Sequence, residues 1–349
     1  MLLYLHIPFC DSKCHYCAFN SYVDKYNLKK DYMQAVLVQT NSKLLRLKEE
    51  KIETVFIGGG TPSCVDAHYF EKFFELISPF LQKDAEITTE ANPNSANKQW
   101  LEMMQSFGVN RISFGVQSFN EAKLKFLGRS HTHKQAIEAV QNAFKLGFEN
   151  ISLDLIYATH LDNISLLTQD LKTAMSLPIN HLSAYALTLE EGTKFQDKSD
   201  YTNPCENLAK EFIEAIKSYG FSQYEISNFG KYKSKHNLGY WEGKEYIGIG
   251  AGAVGFENSI RYYPHKEVEK YIQNPLHVRV EHLTKEDLHV EKIFLGLRSE
   301  IGIQEEALTQ KELEKALLLL GENKLTCKDK KFYNNDYLLS DEIALFLLD

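Results

Sequence analysis

Six short apolar runs, most of them followed by a stretch of helical periodicity, set the strongest limit on how this chain can fold. They are Leu2 to Ile7, Thr54-Val-Phe-Ile-Gly-Gly-Gly-Thr-Pro, Glu86-Ile-Thr-Thr-Glu-Ala-Asn-Pro, Arg111-Ile-Ser-Phe-Gly-Val-Gln, Ile151-Ser-Leu-Asp-Leu-Ile-Tyr and His181-Leu-Ser-Ala-Tyr-Ala-Leu-Thr-Leu. Each reads as a strand. Between them, helical patterns cover about Leu28 to Glu50, Ala67 to Leu81, Asn97 to Phe107, Glu121 to Gly128, Lys134 to Leu146 and Ile164 to Met175. Connections of this length suit crossovers between parallel strands rather than hairpins. The expected fold is α/β, an open partial barrel of six β/α units that falls short of the usual eight.

Further along, Asn203 to Tyr219 predicts another helix, and Tyr224-Glu-Ile-Ser-Asn-Phe reads as a short strand. The small residues of Gly248 to Gly255 predict a loop, and from Thr284 the chain turns helical and leucine-rich. We therefore expect a barrel over residues 1–220, a barrel extension over 221–275 and a small, mainly helical C-terminal domain over 276–349. Asn274-Pro275 is the only mark of the last boundary.

Charge and cysteine usage narrow the chemistry. The net charge of −8, with no long basic block, gives no footprint for non-specific nucleic-acid binding. No apolar run reaches the length of a membrane span. The first residues lack a basic segment and a small-residue cleavage site, and Pro8 and Cys10 interrupt them, so they read as a strand rather than a signal peptide. A reducing, cytoplasmic setting follows, and Cys64, Cys205 and Cys327 read there as isolated thiols. Cys10, Cys14 and Cys17 differ. They form C-x3-C-x2-C directly after the first strand. A closed zinc site wants four ligands and a disulfide two, whereas a [4Fe-4S] cluster on three thiolates keeps one iron open to a small molecule.

In parallel α/β folds functional groups collect at the C-terminal strand ends. Gly58-Gly-Gly-Thr61 ends the second strand, Glu90 the third and Gln117 the fourth, and Asp154 lies within the fifth. Glycines let backbone approach a ligand; Glu90 and Asp154 can accept from an ammonium or ribose hydroxyls; Arg129 suits a carboxylate; Tyr16 suits an adenine face. Alone, each has a plainer reading as a turn, a solvated strand end or a cap.

Together these features resemble the radical-SAM superfamily, marked by C-x3-C-x2-C after the first barrel strand. Tyr4-Leu-His-Ile-Pro-Phe-Cys, Gly58-Gly-Gly-Thr-Pro-Ser, Gly115-Val-Gln-Ser-Phe, Asp154-Leu-Ile-Tyr and Tyr224-Glu-Ile-Ser-Asn-Phe are similar to the family of oxygen-independent coproporphyrinogen III oxidases and the heme chaperones related to them. The resemblance implies that Cys10, Cys14 and Cys17 ligate the cluster. It implies that Tyr4, Gly59, Gly60, Thr61, Glu90, Gln117, Arg129 and Asp154 contact S-adenosylmethionine (SAM).

Two positions separate the branches. The oxidase branch carries a further cysteine two residues after the third ligand, where this chain has Phe19. His236-Asn-Leu-Gly-Tyr-Trp241 matches the H-N-x-x-Y-W motif of the chaperone branch, making His236 a candidate axial ligand for heme. Its plainer reading is a loop histidine bonded to backbone. Two departures accompany the match: Ala158-Thr-His stands where the family usually has Gly-Leu-Pro, and Ala18 where the chaperone branch usually has Asp. The resemblance thus implies a heme chaperone that delivers heme to a recipient, plausibly a membrane respiratory enzyme, from the cytoplasm or the inner membrane face. A radical SAM oxidase and a SAM-binding sensor are the alternatives.

Overall fold

A strand covered on both faces by helices needs apolar residues throughout, but here many alternate residues are polar. The computed structural model, which describes residues 1–47 and 51–349, shows why. In β1 (Leu2–Ile7), Leu3, Leu5 and Ile7 are fully buried. Val55 and Ile57 of β2 (Ile52–Gly59), Ile112, Phe114 and Val116 of β4 (Arg111–Gln117), and Ile151, Leu153 and Leu155 of β5 (Asn150–Tyr157) continue that face. These residues share one core with the surrounding helices. The alternate residues, Tyr4, Phe56, Glu90 of β3 (Leu81–Ala91), Ser113, Asp154 and His181 of β6 (His181–Ala186), line the barrel lumen.

The helices begin where the sequence supplies a cap. Asn97, Asn120, Thr132 and Asn163 accept hydrogen bonds from the first turns of α3 (Lys98–Ser106), α4 (Glu121–Leu127), α5 (His133–Lys145) and α6 (Ile164–Met175). α1 (Lys29–Leu44) is shorter than expected; the predicted end at Glu50 lies outside the described residues. The second helical stretch is α2 (Glu71–Ile77) flanked by single 3-10 turns. α7 (Glu206–Ser218) completes the set around the barrel.

The six expected strands pair in parallel in chain order. A further parallel strand lies where a loop was expected. β9 (Tyr246–Ile249) takes in Gly248 and pairs with the outer side of β1. Its glycine is needed there, since a Cβ on Gly248 would stand 2.2 Å from the Val254 carbonyl oxygen. The chain reaches β9 through β7 (Ser222–Gln223), β8 (Asn228–Gly230) and α8 (Lys235–Trp241). β7 and β8 pair antiparallel beyond β6, so Tyr224 to Ser227 is the turn between two strands rather than a strand.

β10 (Gly255–Glu257), β11 (Ile260–Pro264) and β12 (Val278–His282) extend the other edge antiparallel, completing a twelve-stranded sheet. α9 (Val268–Gln273) packs beside α1. β12 lies beyond residue 275 and still belongs to the large sheet, and Thr284, after it, caps α10 (Lys285–Leu297) of the small domain. That domain is not simply helical. α10, α11 (Gln310–Gly321) and α12 (Ser340–Leu348) pack on a sheet of order β13-β15-β14, from β13 (Ile303–Gln304), β14 (Leu325–Lys328) and β15 (Lys331–Asn334). It has a separate apolar core around Leu297, Ala316, Phe332 and Ala344.

The departure after β5 is accommodated by strain. Ala158, the first residue of that departure, adopts φ +61°. The left-handed region costs a residue with a Cβ roughly 1–2 kcal/mol, and glycine loses only part of that back to unfolded-chain entropy. Ala158→Gly should therefore raise the free energy of unfolding by about 1 kcal/mol, read as a higher urea midpoint at constant m-value. A lower midpoint would show that the backbone there is unstrained.

Candidate functional site

The cysteine loop is held from below by the glycine turn. The Gly60 N–H donates to the Ile7 carbonyl at 2.8 Å and the Thr61 N–H to the Phe9 carbonyl at 2.8 Å. A Cβ on Gly60 would meet Phe9 O at 2.7 Å and Cys10 Sγ at 3.0 Å, so this glycine permits the two loops to touch. Gly59 sits at φ +112°, and a Cβ there would strike the His6 ring at 2.5 Å. On the far side the His15 N–H donates to the Leu127 carbonyl at 3.0 Å, and His15 Nδ1 is 2.9 Å from the Phe126 carbonyl. Lys13 closes the loop on itself, donating to Phe19 O and to Ser21 Oγ, each at 2.7 Å.

Two of the three thiols face donors. The Thr61 hydroxyl donates toward Cys10 Sγ at 3.4 Å, and Arg129 donates to Cys14 Sγ at 3.1 Å. Burial raises the thiol pKa of Cys10 and Cys17, so this pocket favours neutral sulfur unless something positive takes the charge. Iron does that. Among the described residues no three His, Cys, Asp or Glu side chains gather tightly enough for a single ion. Three thiols on one loop, with hydrogen-bond donors directed at two of the sulfurs, fit a cluster whose irons each take one thiolate.

The rim residues converge beside this loop. The Gly59 N–H donates to Glu90 Oε2 at 3.1 Å, and Tyr4, Gly59 and Glu90 line one cleft. Arg129 is clamped, donating to Asn92 Oδ1 at 2.7 Å and to the Gly115 carbonyl at 2.5 Å. Its Nε is buried without a partner among the described residues, a donor left over for an incoming acceptor. Gln117 is held at φ +70° after a break in the β4–β5 register. That strain turns its amide toward Arg129 and Asn92, since a Cβ on Gly115 would meet all three side chains within 3.4 Å. Ser113 donates to Asp154 at 3.2 Å. Tyr16 packs against the small apolar group of Leu127, Ile156, Leu187 and Phe195 at the loop's edge.

Two members of this arrangement were not singled out from the sequence. Asn92 joins Arg129 to Thr61, donating to the Thr61 hydroxyl at 3.1 Å. His6 links Tyr4 (2.9 Å) to the Asn20 carbonyl (2.8 Å). His6 stands two residues from Tyr4 on the same strand face, and Asn92 two residues from Glu90 at the start of the turn after β3, which is the signal that could have found them.

His236 lies elsewhere. It is in helix α8 at the barrel floor, 1% exposed, and is not in a loop. Its Nδ1 is 2.7 Å from the Thr54 hydroxyl, its ring stacks on Phe56, and Tyr240 meets it edge-on. Nε2 has no partner among the described residues, and burial pushes the imidazole pKa down to about 3, so it is neutral. Glu86 fixes the helix, accepting from the N–H groups of Lys235 and His236, each at 3.0 Å, and from the Tyr232 hydroxyl at 2.7 Å. The motif H-N-x-x-Y-W thus plugs the floor.

Glu90 carries the clearest electrostatic signature. Burial, and then the neighbouring Asp154 carboxylate, push its pKa up to about 8. The folded protein binds this proton more tightly than the unfolded chain, so stability falls as pH rises from the ordinary carboxylate range through about 8. A ligand that offers donors to ionised Glu90 must displace the proton. SAM affinity should therefore rise with pH through about 8 and then level, and Glu90→Gln should flatten that step. Calorimetric titration across this range checks it; a wild-type profile matching the glutamine variant would exclude Glu90 from the contact.

A seven-strand parallel half-barrel with three thiols above its first strand and a glycine turn beside them defines a class. Residues 4–172 match the radical SAM superfamily. The resemblance continues beyond the barrel. Over 344 residues the chain is 35% identical to heme chaperone HemW of Lactococcus lactis, covering 95% of this chain and 86% of that protein. It is 34% identical to heme chaperone HemW of Bacillus subtilis, with 88% and 86% covered. The chain belongs to the HemW family. Its fold is also that of Escherichia coli coproporphyrinogen III oxidase, HemN, with a TM-score of 0.83 over 99% of this chain and 89% of that one; the identity is 19%, a likeness of fold.

Proposed function

We propose that this protein is a heme chaperone that holds a [4Fe-4S] cluster and SAM at the barrel mouth, binds heme, and passes it to a heme-requiring recipient, plausibly a respiratory enzyme of the membrane. The observation that carries the reading is the joined cysteine loop and glycine rim in a chain that follows the HemW relatives over nearly its whole length. Among the described residues no helix is long and apolar enough to cross a membrane, so contact with a membrane-bound recipient would be from its surface.

When bound, the cluster supplies an open iron position and one electron. The chain's own tasks are separate. Cys10, Cys14 and Cys17 hold the irons; Thr61 and Arg129 donate toward the sulfurs; Tyr4, Gly59, Gly60, Glu90, Gln117, Arg129 and Asp154 seat SAM; Tyr16 and its apolar neighbours keep water from one side. His236, held under Tyr240 at the floor, would reach heme iron only after the floor opened.

The second reading is a porphyrinogen oxidase, favoured by the shared fold and opposed by Phe19 in place of the oxidase cysteine. Anaerobic reconstitution followed by hemin titration tests the first reading: a saturable Soret change supports it, and none sinks it. Turnover of coproporphyrinogen III with reductant and SAM would establish the second.

A further inference from the structure

A cleft of about 750 Å³ does not include His236 among its lining residues. It is the cleft that Tyr4, Gly59 and Glu90, the rim residues assigned to SAM, line at one end, and it continues along the outer edge of the sheet to α10 of the small domain. Its lining is rich in aromatics: Tyr240, Tyr246, Phe256, Phe294 of α10 and Phe19 of the cysteine loop. Phe19 is 65% exposed, a large apolar side chain with nothing covering it. It occupies the position that separates the two family branches.

The polar lining has one dominant sign. Lys244, Arg261 and Arg298 reach the cleft, against the carboxylates of Glu291 and Glu90. Glu291 is held by Arg261 at 2.6 Å. Glu90 is largely protonated near neutral pH. Lys244 and Arg298 also meet carboxylates outside the cleft, Glu53 and Glu242 for the lysine and Asp341 for the arginine, but remain a third or more exposed. In a chain of net charge −8, a cleft whose cations outnumber its ionised acids is matched to an acidic ligand. Flat aromatic walls with guanidinium groups at the edge match a planar macrocycle bearing carboxylates.

No histidine nitrogen in the cleft is free to bind iron. Both nitrogens of His6 are engaged, by Tyr4 and Asn20, and His236 is one layer behind Tyr240.

We propose that this cleft is the tetrapyrrole seat, and that it grips the macrocycle by its faces and its propionates rather than through the metal. The inference rests on the heme-chaperone reading and adds the location and the mode of recognition. Three consequences follow. Iron-free protoporphyrin binds as heme does. The small domain and the cysteine loop each form a wall of the site. The floor histidine is not needed for uptake.

The test titrates the full-length reconstituted protein with hemin and, separately, with iron-free protoporphyrin IX. The readouts are the Soret band and tryptophan fluorescence. The two dissociation constants should lie within about tenfold of each other. Phe19→Ala and Arg261→Gln should each weaken both ligands by about fivefold or more, and His236→Ala by less than about twofold. Phe19 is exposed, so its replacement should not disturb folding, and thermal melts of each variant verify this. Val290→Trp, which fills the cleft from α10, provides a second variant that should block both ligands. Binding of hemin without binding of protoporphyrin would overturn the proposal and leave the chaperone reading standing. So would a loss confined to His236→Ala. Failure of the wild type to bind either tetrapyrrole would overturn both.

Discussion

Replacing Lys123 by methionine should lower the stability of this protein by about 3–5 kcal/mol, the cost of leaving a buried charge without its partner. Lys123 is fully buried, with its ammonium 2.6 Å from Asp162 and 4.0 Å from Asp170. Neither carboxylate is spare. Asp162 accepts from the N–H and the hydroxyl of Thr159, each at 2.8 Å, and so holds the loop after β5. Asp170 accepts from Ser118 at 2.6 Å and the Phe119 N–H at 2.7 Å, and so holds the loop after β4. Methionine conserves the stem of the side chain and removes only the charge. The expected result is a large drop in the urea midpoint, with partial recovery when Asp162→Asn is added, because one uncompensated carboxylate disappears. A change below about 1 kcal/mol would mean that water reaches this pair.

The second large effect concerns the cluster. Cys10→Ala, Cys14→Ala and Cys17→Ala should each reduce reconstituted iron from about four per chain to background and abolish the cluster's visible absorbance. Cys64→Ala is the internal control. Cys64 lies beside the same loop, but its thiol donates to the Phe9 and Thr61 carbonyls, and burial raises its pKa to about 12, so it stays protonated. Its loss should leave iron content unchanged. Equal loss in all four variants would point to general collapse of the loop rather than to three specific ligands.

The parts of the structure that were legible in the sequence share a physical cause. A strand that meets helices on one face and a polar lumen on the other writes its alternation into the chain, as Leu3, Leu5 and Ile7 do against Tyr4 and His6. Side-chain caps such as Asn97 and Asn163 write helix starts with similar clarity. β9 was missed because close backbone packing, not side-chain burial, makes it a strand, and glycine leaves no periodic signal. The sheet of the small domain was missed because its strands are two to four residues long, too short for a pattern.

At the site, residues chosen by chemical type at strand ends fell together. Asn92 was passed over because an Asn-Pro pair reads as a turn, although its amide joins Arg129 to Thr61. His236 was chosen for its motif, H-N-x-x-Y-W; its burial against Thr54, more than 180 residues away, is a separation no local pattern carries.

The parallel pairing of β9 with β1 also bears on the order of events during synthesis. β1 carries the cysteine loop, yet one of its two neighbours is not made until residue 249 has been added. Asn20, within that loop, donates to the carbonyls of Ala251 and Lys266. The segment carrying the cysteine loop is therefore locked in place only by residues more than 220 positions further along the chain. Until then its thiols hang on an unfinished sheet edge, open to oxidation and to stray metal. A cluster on these thiols would therefore find its loop fully framed only once β9 and the segment around Lys266 are in place.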